Sequence, residues 1–410
     1  MALNASQNSA LDSIKNHKNT FITGFPGSGK SYLIESVCKH FKESEISYGL
    51  TALTGCAAIL IGGRTLHSFL GIGLAKGTPV ELYKSIRRRE GLLPKLIALK
   101  VLIIDEASML SDQLFDKICE LFKLIHGNNK AFGGIQIILV GDMSQLKPVE
   151  GDYCFHAGNW EFSGIQILNL TENMRVQDDP EFERLLKHIR WGVCTQTDFN
   201  MLESMKDTVF PDYIYPTKLF STNKDVDSIN QFELGKLIQS GAQTINYPIR
   251  YTDNPYKLKR STEYVISNKI PEFTRICVGA QIMITRNLDF DNGIVNGTKG
   301  VVVSLNSTNV VIKLVNGKGY SLSYFNHVDP ENRIDFKYLP VVLAWAMTIH
   351  KSQGMTIDSL EIDLGSSIFT DGQAYVALSR ARNKESVLVS KLSKKSIKTN
   401  KSVIEFYHKK

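Results

Sequence analysis

The chain has 410 residues, too many for one typical domain, so two or three domains with cores of their own are expected. Its 43% hydrophobic and 22% charged content is that of an ordinary globular protein. No apolar run nears the roughly 18 residues of a membrane span, the N-terminus lacks a basic-then-apolar leader, and six scattered cysteines (Cys38, Cys56, Cys119, Cys154, Cys194, Cys277) form no CxxC pair, which argues against a membrane protein, a secreted one and a cysteine metal site.

Residues 20–24, 101–105 and 135–141 are short apolar runs ending in small or acidic residues, the pattern of buried parallel strands. Between the last two, Leu114, Ile118, Leu121, Phe122 and Ile125 recur at helical spacing. Alternating strand and helix predicts an α/β lobe with a parallel sheet. Residues 64–99 are irregular and basic, with Lys84, Arg87, Arg88, Arg89 and Lys95, and read as a small excursion from that lobe. Further strand-like runs at 218–221, 343–347, 360–364 and 387–389 predict that the architecture repeats once. Residues 300–325 read as short β segments around Asn316-Gly317, a two-residue hairpin signal, and predict a small β-barrel inserted in the second lobe. The lysine-rich end, 392–410, keeps Val403, Ile404 and Phe406 and fits a docked helix or a loose tail.

Between the first strand and its helix lies GFPGSGKS, with Gly24, Gly27, Ser28, Gly29, Lys30 and Ser31. This is a phosphate loop: glycines let backbone amides turn toward phosphate oxygens, Lys30 reaches the outer phosphates and Ser31 can ligate Mg2+. Asp105 and Glu106 end the strand VLIIDE, Asp105 to hold Mg2+ through water and Glu106 to take a proton from the attacking water. Gln145, after the next strand in GDMSQ, is placed to touch the γ-phosphate or that water. Arg175 in LTENMR and Arg380 in YVALSRAR are candidate arginine fingers. The expected substrate is ATP with Mg2+, and the net charge of +7, from 48 basic against 41 acidic residues, favours a polyanionic partner.

These motifs in this order, with LTGCAAILIGGRTLHSFLGIG, AFGGIQIILVGDMSQLKPV, VNGTKGVVV, AWAMTIHKSQGMT and GQAYVALSRAR, resemble the Pif family of 5′-to-3′ DNA helicases of superfamily 1B, over nearly the whole chain. The resemblance implies two RecA-like P-loop NTPase lobes, residues 1–63 with 100–175 and residues 176–284 with 338–410. It further implies a wedge insertion at 64–99, an SH3-like β-barrel insertion at 285–337, and a nucleotide bound between the lobes. Gln7 would read the adenine, Gly354 would lie at the nucleotide, and Gln145, Arg175 and Arg380 would sense the γ-phosphate. Thr54, His67, Ser68, Phe69 and Lys147 on the first lobe, with Asn223, Thr348, His350, Lys351 and Ser352 on the second, would meet DNA: phosphates through hydroxyls, amides and lysine, bases by stacking. Phe69 beside Leu70 also fits a core position, and His67 a buried histidine. Met143 and Lys147 stand where the family usually has an aromatic and a proline. The implied partners are single-stranded and forked DNA and replication or single-strand-binding proteins. A monomeric, soluble, intracellular helicase core is expected, in cytoplasm or nucleus, of viral, phage or bacterial origin.

Overall fold

The computed structural model describes residues 3–172, 179–220, 223–267, 270–289, 292–329, 333–365 and 368–408, with the backbone alone at Cys56, Asn223, Lys224 and Ser267. The chain divides into two compact units, residues 1–177 with 399–410, and residues 178–398.

The first unit is built on a six-stranded, wholly parallel sheet. Its strands are β1 (Thr20–Gly24), β2 (Tyr48–Ala52), β3 (Arg64–Thr65), β4 (Val101–Asp105), β5 (Gln136–Gly141) and β6 (Gln166–Leu170), in the order β3-β2-β4-β5-β1-β6. The helices are α1 (Ala5–Lys15), α2 (Lys30–Glu43), α3 (Gly55–Leu60), α4 (Leu66–Leu70), α5 (Pro79–Arg87), α6 (Leu92–Ala98) and α7 (Asp112–His126). Successive strand residues serve opposite faces, as a period of two requires. Ile22, Val101, Ile103, Ile138 and Val140 pack in one core with Ala10 and Ile14 of α1 and Leu33, Ile34 and Val37 of α2. Phe21, Leu102, Ile104, Ile137 and Leu139 pack in the other with Phe115, Ile118 and Phe122 of α7. Burial on both faces explains why these strands read as unbroken apolar runs.

The AFGG segment seats β5. Phe132 adopts φ +50°, is 1% exposed and meets Phe115 edge to face at 5.1 Å. A Cβ on Gly133 would fall 2.2 Å from the Phe122 carbonyl oxygen, so only glycine lets the chain pass this close to α7. The segment 64–99 is tied to the first unit: Arg64–Thr65 pair with β2, and Leu66, Phe69 and Leu70 share a core with Leu82 and Ile86 of α5 and Leu96 of α6.

The second unit holds a four-stranded parallel sheet and three antiparallel ones. In chain order its elements are α8 (Pro180–Arg190), α9 (Gln196–Ser204), β7 (Thr217–Phe220), α10 (Asn223–Gln239), β8 (Thr244–Pro248), β9 (Arg250–Tyr251), α11 (Pro255–Ser267), β10 (Phe273–Cys277), β11 (Gln281–Ile284), β12 (Lys299–Leu305), β13 (Asn309–Leu314), β14 (Gly319–Ser323), β15 (Phe325–Asp329), β16 (Ile334–Tyr338), β17 (Val341–Leu343), β18 (Ala346–Thr348), β19 (Leu360–Leu364), α12 (Gln373–Leu378) and β20 (Val387–Leu392). The parallel sheet runs β18-β7-β19-β20 and repeats the α/β plan of the first unit. The antiparallel sheets run β14-β13-β12-β11-β17, β15-β16-β9 and β10-β8. Asn316-Gly317 turns β13 into β14, with Gly317 at φ +81°. Two expectations are corrected. Residues 343–347 are not one strand: β17 ends at Leu343 in the antiparallel sheet and β18 starts at Ala346 in the parallel one, so a single apolar run serves both. The antiparallel sheet also draws in 281–284 and 341–343, beyond the 285–337 limits read from sequence.

The chain end does not stay with the second unit, as the 338–410 boundary would have it. It returns to the first as α13 (Lys401–His408): Val403 is wholly buried there, and Phe406 stacks on Phe155 at 4.2 Å with Trp160 and Phe21 beside it. The packing of Val403 and Phe406 outweighs the lysines around them. Among the described residues no helix is long and apolar enough to cross a membrane.

Candidate ATP site and DNA-contacting residues

Three loops leave the carboxyl ends of β1, β5 and β4, neighbours in the sheet order. The loop after β1 passes through Gly27 at φ +86° and reaches α2 by way of Gly29, the residue before the helix, at φ +79°. The amides of the first helical turn thus end in the loop, where an anion would find unused donors. Lys30 Nζ donates to the carbonyls of Gly24 and Phe25 at 2.8 and 2.9 Å, so the ammonium sits within the loop. The Ser28 hydroxyl is buried without a hydrogen-bond partner, and Ser31 is exposed.

Gln7 lies on the same loop. Its Oε1 accepts the Asn4 amide in the capping box of α1, and its Nε2 donates to the Gly29 carbonyl at 3.3 Å. A side chain 4% exposed and locked into a helix cap is well fixed for reading an adjacent base.

Asp105 ends β4, and its Oδ1 accepts the Glu106 amide at 2.9 Å. Burial, then the neighbouring Glu106 charge, push its pKa up to about 7 against the pull of that amide and of Lys30. The Asp105 carboxylate and the Ser31 hydroxyl of the phosphate loop are hard oxygen donors, the kind that suits Mg2+, and a bound cation would relieve the electrostatic cost at Asp105. Glu106 adopts φ +55°, an uncommon backbone for a non-glycine residue. After β5, the Asp142 carbonyl accepts the Gln145 amide at 3.0 Å, and Gln145 is 5% exposed. The strand order places the Gln145 loop between the phosphate loop and the Asp105–Glu106 loop, an adjacency that chain order conceals.

The family model described as PIF1-like helicase matches residues 2–200, and that described as DNA helicase Pif1, 2B domain, matches residues 271–305. The ATP-dependent DNA helicase Pif1 of Bdellovibrio bacteriovorus is 33% identical over 99% of this chain and 91% of its own length. The chain belongs to the PIF1-like helicase family. The ATP-dependent DNA helicase PIF1 of Xenopus laevis is 35% identical over 99% of this chain, which spans 64% of that relative's length. The crystal structure of Bacteroides sp Pif1 in complex with ADP-AlF4 matches with a TM-score of 0.83 at 29% identity, covering 100% of this chain and 97% of that one. Bacteroides Pif1 bound to ssDNA matches with a TM-score of 0.69 at 27% identity, covering 100% and 97%.

In this PIF1-like helicase chain the DNA candidates fall into clearly different environments. Thr54 caps α3 by accepting the Ala57 amide at 3.2 Å, and Ser68 Oγ accepts from Arg64 at 2.9 Å. His67 is half-buried and burial lowers its pKa, so it would meet a polynucleotide as a neutral ring. Lys147 is exposed. Phe69 is corrected. It is 5% exposed, lies in the first core with its ring filling the space left by Gly49, and carries Lys95 Nζ over its face at 5.1 Å, so it cannot stack on a base without leaving the core.

In the second unit, Thr348 Oγ1 accepts the Lys351 amide at 3.1 Å and Ser352 Oγ donates to the Ile349 carbonyl at 2.8 Å, which folds 348–352 into a tight turn. Lys351 is exposed at its tip, His350 is half-buried with a pKa lowered by burial, and Gly354 is exposed at φ +76°. Thr348 and Ser352 are buried, so their part is to shape the turn. Arg380 is 1% exposed and donates to the carbonyls of Val376, Ser352 and Met355 and to Ser379 Oγ, bracing this same turn from behind. Asn223 opens α10, with its side chain outside the described residues; Arg175 lies outside them altogether.

Proposed function

We propose that this chain is an ATP-dependent DNA helicase that moves 5′ to 3′ along single-stranded DNA and opens duplexes, consuming ATP with Mg2+ at the loop of Lys30. The carrying observation is the convergence of Gly29–Lys30, Asp105–Glu106 and Gln145 on the carboxyl ends of adjacent strands, in a chain that matches DNA helicases along nearly its whole length. The Bacteroides structures with ADP-AlF4 and with ssDNA support both substrates.

Lys30 leaves the Gly24 and Phe25 carbonyls for the outer phosphates, while the amides of the loop and the Ser28 hydroxyl take phosphate oxygens. Ser31 and Asp105 would hold Mg2+, which supplies charge neutralisation on the β- and γ-phosphates when bound. Gln145 orients the attacking water and Glu106 accepts its proton; the water oxygen bonds to the γ-phosphorus as the bond to the β–γ bridging oxygen breaks. Gln7 reads the adenine. Arg175 and Arg380 are assigned to the γ-phosphate by their motifs. On DNA, exposed Lys147 and Lys351 neutralise phosphates, while His67 and His350, neutral by burial, contribute contacts that salt does not screen.

The test is unwinding of forks bearing a single 5′ or a single 3′ tail, with DNA-stimulated ATP hydrolysis measured in parallel. Opening of the 5′-tailed fork alone, abolished with hydrolysis by Lys30→Ala, is the expected result. Hydrolysis with no opening of either fork would make the chain a translocase that does not separate strands.

A further inference from the structure

Strands β1 and β5 lie side by side with Thr23 opposite Gly141, and there they part. One enters the phosphate loop at Gly24; the other enters the turn that carries Gln145. Past this fork the ladder has no further hydrogen bonds to give, yet Asp142 and Met143 are 0% exposed, where an unmet amide is costly.

The hydroxyl of Tyr407, on α13, fills the fork. It lies 2.7 Å from Thr23 Oγ1, accepts the Met143 amide at 3.1 Å and lies 3.4 Å from Asp142 Oδ1. A phenol both donates and accepts, so one atom can take the amide and donate to threonine or carboxylate. The same carboxylate oxygen accepts the Ser144 amide at 3.1 Å, and the Asp142 carbonyl accepts that of Gln145. Tyr407 is thereby two links from the glutamine and one from the strand that feeds the phosphate loop. Phe406 and Val403 hold the helix in place by packing, which leaves the hydroxyl a separate task.

We propose that Tyr407 is a positioning residue for ATP hydrolysis: its hydroxyl locks the phosphate-loop strand to the Gln145 turn and keeps Lys30 and Gln145 in register through turnover. This rests on the ATP-site reading above. A ligand pulling on the phosphate loop works against a fork that three side chains and one amide close, and loss of the clamp lets the glutamine drift from the γ-phosphate while ground-state binding persists.

The experiment measures ATP hydrolysis on saturating single-stranded DNA, together with Tm, for the full chain, Tyr407→Phe, Thr23→Val and the double variant. Tyr407→Phe should lower kcat roughly tenfold with KM for ATP within about twofold, the signature of geometry lost in the reacting complex. Thr23→Val breaks one of the Tyr407 links without touching α13, and the double variant should fall no lower than Tyr407→Phe alone, since that substitution already removes the Thr23 contact. A kcat for Tyr407→Phe within twofold of wild type, single effects that multiply in the double variant, or a loss carried by KM would overturn the proposal. Wild-type turnover abolished by Lys30→Ala establishes the ATP site independently, so a silent Tyr407→Phe removes the positioning role alone.

Discussion

Replacing Gly29 by alanine strikes the phosphate loop at its most constrained point. Gly29 sits at φ +79° just before α2, where an L-residue costs about 1–2 kcal/mol. The added Cβ would also fall 2.4 Å from Gln7 Nε2, and Gln7 is held by the capping box of α1, so its amide must leave the Gly29 carbonyl at a cost of about 1 kcal/mol. If the empty loop of the variant relaxes and must readopt this conformation around ATP, these effects amount to about 2–3 kcal/mol, or a roughly 30- to 160-fold weaker hold on ATP. Titration calorimetry with ATP and GTP reads the two parts separately. Gly29→Ala should weaken both and, on the proposed reading of adenine by Gln7, narrow the preference for ATP, because that amide is displaced. Adding Gln7→Ala should recover part of the GTP affinity by removing the clash. An ATP affinity within threefold of wild type would refute the reasoning, since neither the left-handed backbone nor the Gln7 contact would then matter to the bound loop.

Phe69→Ala is expected to cost about 3–5 kcal/mol of first-unit stability through the cavity left against Gly49, read as a lowered Tm, while affinity for single-stranded DNA in the folded fraction changes less than threefold; a large loss of DNA affinity at unchanged Tm would restore the stacking role. His327, 7% exposed against Tyr264 and Phe336, has its pKa pushed down to about 4 from 6.5 by burial and then by Arg286, with Asp329 opposing. A base with a depressed folded pKa keeps its full contribution above pH 6.5 and loses it as pH falls toward 4, here about 3 kcal/mol. Hydrogen-exchange protection factors across β15 and β16, taken against the intrinsic exchange rate at each pH, should fall over that window, and His327→Phe should flatten the response.

The phosphate loop, the Asp105–Glu106 pair and the strands that carry them were legible because their chemistry is local. A loop that wraps phosphate needs glycines at fixed offsets, and a strand buried on both faces needs an unbroken apolar run, so eight residues in order are enough to read. The hairpin at Asn316-Gly317 was legible for the same reason. Phe69 was not: an aromatic in a motif segment reads identically whether it faces solvent or a core, and only the gap at Gly49 decides. Likewise residues 343–347 form one apolar string that two sheets divide.

The sequence by itself determined the phosphate-loop pattern, the doubled α/β plan and the helicase resemblance, all carried by residues close together in the chain or by motif order. Only the tertiary structure decided that β5 lies between β4 and β1, that the AFGG segment is a packing device, and that the last helix rejoins the first unit to set Tyr407 at the fork of two strands. Those depend on contacts between residues distant in the chain, more than a hundred positions apart for β1 with β5 and for Tyr407 with Thr23, whose partners no local pattern encodes.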